Sequence, residues 1–521
     1  MHSTAALAMT SPAKKTAPRW VGPLVLGVLL LAALYIVVMV HAAGETLLAG
    51  TILFITALAA WLYTSPRFYA YRYLFPGIAA AMVFVVFPML YTIGIGFTNH
   101  SSSNLLSFQR ATQYHLDETV AAEGAPLAFT LHADGPEFRV RLQDPDSDAA
   151  WVSGPLALKS TAPLKLQVEP IAQVKLPLGE PLPLRDVIQR QAALKALSFE
   201  LPDRRKVVMT GLRQFSGLEP VYEQREPGVL ANRRTGELLK ANPRTGFYEN
   251  AAGQPVPPGY QVGVGFDNYR RIFTEPAFRE PFFRIFLWTV AFAALTVLGA
   301  GSLGMLLAVL LNWDALRFRS VYRVLLFLPY AVPGFISILV FRGLFNNNFG
   351  EINLILDALF GIRPTWFSDP TLAKAMLLIV NVWLGYPYMM LVCMGLIRAI
   401  PADLYEASAV AGAGPLTNFF RITVPLVIKP LTPLLIAAFA FNFNNFVLIS
   451  LLTGGRPDFL DTSVPAGTTD LLVSYTYRIA FEDSGQQFGL AAAISTVIFL
   501  LVAAISLVQI RFTRIARDTA R

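Results

Sequence analysis

The sequence predicts a mainly α membrane protein with eight transmembrane helices, interrupted outside the cytoplasm by one large, mainly β insert domain. Three observations carry this. Of 521 residues, 54% are hydrophobic and 15% charged, too apolar a balance for an ordinary soluble chain. The charges cluster between long uncharged runs, and a spanning helix needs about 20 such residues. Between the third and fourth runs the texture changes to Pro, Gly, Asp and Arg.

Eight runs meet the length: Trp20–Val40, Leu47–Tyr63, Leu74–Phe97, Phe282–Leu311, Val321–Phe345, Leu372–Ile397, Leu431–Leu452 and Phe488–Ile510. Flanking cations set their direction, because cytoplasmic loops carry the excess of Lys and Arg. With the N-terminus inside, the inner segments hold Lys14, Lys15 and Arg19, then Arg67 and Arg72, then Arg317, Arg319 and Arg323. Arg398, Arg421 and Lys429 follow, and finally Arg511, Arg514, Arg517 and Arg521. The short outer segments hold only Arg363, Arg456 and Arg478, so both termini are expected in the cytoplasm of a multi-pass inner (cytoplasmic) membrane protein. The net charge of +8 thus belongs to membrane orientation, and no nucleic acid is expected as a partner. The N-terminal run reads as a retained anchor, and the lone Cys393 excludes an intrachain disulfide.

Three parts follow: 1–98 with three spans, an extracytoplasmic insert at 99–275, and a core at 276–521 with five spans and a cytoplasmic loop at 401–430. In the insert, Phe129 and Leu131, then Asp134-Gly135-Pro136, then Phe138, Val140 and Leu142 read as a hairpin. Asn232-Arg233-Arg234-Thr235-Gly236 and Asn242-Pro243-Arg244-Thr245-Gly246 read as two successive turns. Nothing in the insert suggests catalysis, so it reads as a docking module. Gly265–Phe273 reads as an interfacial helix, and Thr453–Gln487 is long enough for contact with an extracytoplasmic partner.

The loop Asp403–Pro430 reads DLYEASAVAGAGPLTNFFRITVPLVIKP. Pro401 and Asp403 suit a helix start. Gly412-Ala413-Gly414-Pro415 stops that helix, and a second short one is expected from Pro415 until Pro425 disturbs it. Small and apolar side chains in water fit either the cleft of a partner or the lipid headgroup region, and the residues alone leave both open.

At membrane depth polar side chains are costly unless they face a partner or a wet cavity. Asn442, Asn444 and Asn445 stand among Phe439, Phe441, Phe443 and Phe446. On a helix Ala438, Asn442 and Asn445 share one face, flanked by Phe441. The sixth span repeats the mixture with Asn381, Gly385 and Tyr388, and Pro387 is expected to interrupt its helix. Amides that donate and accept, beside flat apolar rings, suit a neutral polyol such as a sugar; interhelical glue is the alternative for each asparagine. No cluster of carboxylates or lysines lies at membrane depth there, which argues against a proton-coupled carrier. Trp383 and Tyr386 read as packing or lipid contacts and Cys393 as apolar filling.

The spacing Glu406-Ala407-Ser408, three residues, Gly412, nine residues, Ile422, one residue, Val424-Pro425 resembles the E-A-A…G…I-x-L-P loop of ABC importer permeases. Ser408 and Val424 depart from it conservatively. LPYAVPGFIS (Leu328–Ser337), NVWLGYPYMM (Asn381–Met390), FAFNFNNFVL (Phe439–Leu448) and PAGTTDLLVSYTYRIAF (Pro465–Phe481) resemble the larger permease subunits of maltose/maltodextrin importers. That resemblance implies a type I ABC importer permease. It implies a loop helix seated on a cytoplasmic ATPase dimer, with Glu406 as polar anchor, Ala407 and Ser408 as sliding surface, Gly412 as turn, and Ile422 and Pro425 completing the motif. It implies a sugar pocket lined by Tyr330, Asn381, Gly385, Tyr388, Phe441, Asn442 and Asn445. The implied partners are a second permease subunit, the ATPase dimer, a periplasmic sugar-binding protein, an oligosaccharide and membrane lipid. ATP and Mg would sit on the ATPase: no lysine here follows a glycine, so the chain has no G-x-x-x-x-G-K-[ST] loop and is expected to be neither enzyme nor cofactor carrier. The rivals are an ATP-independent carrier or channel, a ligand-sensing receptor, and an importer permease for another sugar.

Overall fold

The computed structural model describes residues 21–518 apart from 123–125, 159–161, 174–177 and 204. Lys14, Lys15, Arg19, Trp20 and Arg521 lie outside the described residues. The chain forms two compact units, Ser102–Val262 and the segments on either side of it.

In the helical unit, seven helices among the described residues are long and apolar enough to span a membrane, and a bent pair supplies an eighth. The first three are Val21–Ala42, Thr46–Thr64 and Phe75–Gly96. The third loosens into a π turn at Met82–Val86, two residues before Pro88, which lacks an N–H to donate and whose ring would otherwise clash with the carbonyl of the preceding turn. Spans four, six, seven and eight are Pro276–Asn312, Pro370–Arg398, Pro415–Phe443 and Phe488–Asp518. Span four packs closely on span six. A Cβ on Gly304 would lie 2.7 Å from Met389 Cβ and Met390 N, so only glycine permits this approach.

Four sequence expectations are corrected by this unit. The fifth span is not one helix through Val321–Phe345: it breaks into Arg319–Ala331 and Gly334–Leu344, bent by 92°. Val332, the residue before Pro333, is extended, as proline demands of its predecessor. The seventh span stops at Phe443 rather than Leu452, and after Asn444 and Asn445 a short helix Phe446–Leu452 resumes. Pro425 does not end the helix begun at Pro415, because a π turn at Phe419–Thr423 makes room for it and the helix continues into span seven. Pro387 sits inside an unbroken helix.

The helix Asp267–Thr274, expected at the interface, is tied to the protein by buried Asn268, which donates to the Gly96 and Thr98 carbonyls at 3.0 and 2.8 Å. The segment Thr453–Gln487 is an ordered cap carrying the helix Leu472–Phe481. Its Arg478 is buried and donates to Asp470, Asp458 and Glu482 at 2.8, 2.7 and 3.1 Å. Burial pushes the Asp470 carboxyl up to about 6, against the pull of Arg478 and the donors Ser474 and Gly467.

The other unit is β-rich. Its strands β1 to β8 are Thr119–Ala121, Leu127–Asp134, Glu137–Gln143, Ala150–Ser153, Leu164–Pro170, Leu197–Glu200, Lys206–Gly211 and Gln214–Pro220. They lie in the order β1-β8-β2-β3-β4-β5-β6-β7, and a further β7–β8 pairing curls the sheet into a barrel-like form. The expected hairpin is β2–β3, with Phe129 opposite Leu142, Leu131 opposite Val140, and all four buried. The two expected turns join successive strands of a five-stranded meander: Gly236 and Gly246 donate back to the Asn232 and Asn242 carbonyls. In each turn the asparagine side chain accepts from the arginine amide two residues on.

Candidate functional site

Where the fifth span bends and the seventh breaks, neither helix can fill the space beside span six. A cavity of about 730 Å³ opens there. Tyr330, Asn381, Gly385, Tyr388, Phe441, Asn442 and Asn445 all line it, so the structure brings the seven expected pocket residues together. Tyr330 sits one residue before the end of its helix, and its ring stacks on Tyr388 from span six, centroids 6.3 Å apart and planes 16° apart. Both rings and Phe441 remain exposed to the space. Gly385, with Ala300 beside it, leaves the wall low between them.

The amides form one network. Asn381, 5% exposed, donates through Nδ2 to Thr296 Oγ1 at 3.1 Å and to Asn442 Oδ1 at 2.7 Å. Its Oδ1 accepts from Asn445 Nδ2 at 3.2 Å. Asn442 Nδ2 donates to the Ala438 carbonyl, and Asn445 Oδ1 accepts from the Leu448 amide as the cap of the resumed helix. An amide nitrogen has two protons. Asn381 has spent both, whereas Asn442 and Asn445 each keep one for a ligand. Asn381 therefore orients the two that face the cavity. Asn445 reaches them from beyond the end of the helix that carries Ala438 and Asn442, not from a shared helical face. Asn444 is exposed and donates at 3.4 Å to the Ala440 carbonyl, outside the network.

Thr296 was not legible as a site residue, because a helical threonine ordinarily returns its hydroxyl to its own backbone and gives no signal. Trp383 packs edge-on against Phe341, and the Tyr386 hydroxyl donates to the Leu326 carbonyl at 3.1 Å. Both lie in packing, as does buried Cys393.

The loop motif forms a helix–turn–helix. Its first helix, Ala402–Val410, ends in a Schellman turn: Ala413 N donates to the Ser408 carbonyl and Gly412 N to the Ala409 carbonyl, with Gly412 at φ +77°. Ser408 donates to Asn418 Oδ1, and the Tyr405 and Thr423 hydroxyls meet at 2.9 Å, which fastens the two helices together. Glu406, Ala407, Gly412 and Pro425 are exposed, and Ser408 and Ile422 are half-buried. Val410, Leu416 and Phe420 are 91%, 75% and 65% exposed, an apolar surface offered outward around the turn.

Residues 106–265 match the family described as the maltose transport system permease protein MalF P2 domain, and residues 300–517 the binding-protein-dependent transport system inner membrane component. The maltose/maltodextrin transport system permease protein MalF of Klebsiella aerogenes is 52% identical over 501 residues, which is 95% of this chain and 96% of that protein. The protein of the same description from Escherichia coli K12 is 52% identical over 502 residues, and that from Yersinia pestis 49% over 503, each over 95% of this chain. The chain belongs to the MalF family of transport permeases. The P2 match falls on the β-rich unit, and the inner-membrane-component match runs from span four to span eight and takes in both cavity and loop. Membership makes it a multi-pass inner-membrane permease of an ABC transport system, working with other subunits.

Proposed function

We propose that the chain is the larger transmembrane permease of an ATP-driven importer for maltose and maltodextrins. The observation that carries this reading is the cavity: two stacked tyrosines and a phenylalanine offer faces to the apolar C–H side of a sugar, while the free N–H groups of Asn442 and Asn445 reach its hydroxyls. None of the lining residues is charged, which suits a neutral solute and gives a proton relay no footing.

In this reading both termini are cytoplasmic and the β-rich unit is periplasmic, where it and the cap at Thr453–Gln487 meet a sugar-binding protein. A second permease subunit completes the passage. ATP and Mg are held and ATP is hydrolysed on a cytoplasmic ATPase dimer, into whose groove the helix Ala402–Val410 fits with Glu406 as its polar anchor. The continuous helix Pro415–Phe443 supports a lever action: it starts in that loop and ends, roughly 40 Å away at 1.5 Å per residue, beside the amides of the cavity. Closure of the ATPases displaces the loop, the lever tilts, and access to the cavity alternates between the two sides.

The test is uptake of labelled maltotriose into proteoliposomes holding the chain with its co-purifying subunits and the binding protein. Accumulation that needs ATP supports the reading. Accumulation that survives ATP depletion while ion gradients persist, or by this chain alone, refutes it.

A further inference from the structure

Outside the transport pathway, the first two spans border an apolar groove of about 520 Å³, and Arg72 lies over the ring of Tyr63, one of its lining residues. Gly22, Leu26, Leu29 and Ala33 line one side and Ala59 and Tyr63 the other. The only hydroxyl deep in the wall, that of Thr56, donates to its own helix at the Ile52 carbonyl. At the Tyr63 end the turn Pro66–Tyr73 folds back over the helix terminus. Arg72 Nε donates to the Leu62 carbonyl at 3.0 Å, and its Nη2 donates to those of Tyr63 and Ser65 at 2.8 and 3.3 Å. Its guanidinium also lies over the rings of Tyr63 and Tyr69. Its Nη1 has no partner among the described residues, and neither does the exposed guanidinium of Arg67. No Asp or Glu occurs between Thr46 and Leu116, so no carboxylate nearby in the chain balances these charges.

We propose that this groove binds an anionic phospholipid, the phosphate on Arg72 Nη1 with Arg67 beside it and one acyl chain lying between the spans. Charge complementarity and length both favour a lipid over a peptide helix. The row Gly22 to Ala33 runs about 17 Å along the first span, close to the half-thickness of the hydrocarbon core, which is one acyl chain deep. Tyr69, Tyr71 and Tyr73 are 59%, 53% and 75% exposed and set the turn at headgroup level, where aromatic rings collect. The carbonyls that hold Arg72 also fix its direction, so the cation is oriented before a phosphate arrives.

The importer complex, purified in mild detergent, is titrated with phosphatidylglycerol or phosphatidylcholine and read by native mass spectrometry, with a photoactivatable acyl chain to map contacts. Preferential retention of phosphatidylglycerol, with cross-links on Gly22–Ala33, is expected. Arg72→Gln should lower that retention about fivefold, the worth of one basic residue at an anionic membrane surface. Ala59→Phe fills the groove while leaving every arginine in place, and should reduce the cross-links to a similar degree even if Arg72→Gln fails to fold. Equal retention of both lipids, retention unaffected by Ala59→Phe, or cross-links that instead join the groove to a helix of another subunit would overturn the proposal.

Discussion

Replacing Asn381 by leucine probes the cavity at the buried centre of its amide network. Leucine keeps the branched four-atom skeleton of asparagine with bulkier methyl groups in place of the amide O and NH2, so the change removes the hydrogen bonds while the branching is retained. Three are lost, to Thr296, Asn442 and Asn445. Interhelical bonds in membranes average about 0.6 kcal/mol each and reach about 1.7, so the fold should lose roughly 2 kcal/mol and at most about 5. The consequence for sugar is indirect. Without Asn381, Asn442 and Asn445 are no longer held with one N–H each toward the cavity. Two ordinary hydrogen bonds at about 1 kcal/mol each amount to roughly 30-fold in Kd. Equilibrium binding of labelled maltotriose to the detergent-solubilised complex measures this, and a cycle with Asn442→Leu separates positioning from contact. If Asn381 acts through Asn442, the double variant costs clearly less than the two single changes together. Binding equal to wild type in Asn381→Leu, or strict additivity in the cycle, would refute the positioning role.

Three further outcomes follow from the same geometry. Tyr388→Phe keeps the ring that stacks on Tyr330 and should weaken maltotriose binding less than fivefold, whereas Tyr388→Ala removes it and should cost about 2 kcal/mol, near 30-fold, in the same assay. Gly412→Ala forces a side chain into the left-handed region at a cost of about 1 kcal/mol, so sugar binding should persist while ATP-driven uptake and the fraction of co-purifying ATPase both fall. Asp470 holds its proton to a higher pH folded than unfolded, so its contribution is fully present below about pH 4 and is lost as pH rises through about 6, by roughly 3 kcal/mol; thermal unfolding across that range should show a slope that Asp470→Asn removes.

Alternation and turn chemistry made the β2–β3 hairpin and the two asparagine–glycine turns readable, because period-two burial and left-handed glycines are local properties of the chain. The spans were equally plain in their apolar length. Their breaks were not. Pro333 ends a helix while Pro387, Pro430 and Pro433 sit within helices, so a proline in an apolar run does not by itself say where a span breaks. The same holds for the cavity: residue types named Asn381, Asn442 and Asn445 as a polar group, but that Asn445 acts from a helix cap and Asn381 faces Thr296 depends on the break after Phe443 and on the close approach of spans four and six. The loop motif was legible by spacing, whereas its fusion to span seven rests on the π turn before Pro425.

The claim that motion enters this chain through its inner loop is tested most directly by Glu406→Lys, an exposed change that touches neither the cavity nor any hydrogen bond within the loop. The measurement is ATP-driven maltotriose uptake together with the ATPase recovered on purification of the tagged chain. The expected variant inserts and binds sugar normally, yet loses both the ATPase and the uptake. Full recovery of the ATPase with uptake at the wild-type rate would contradict it.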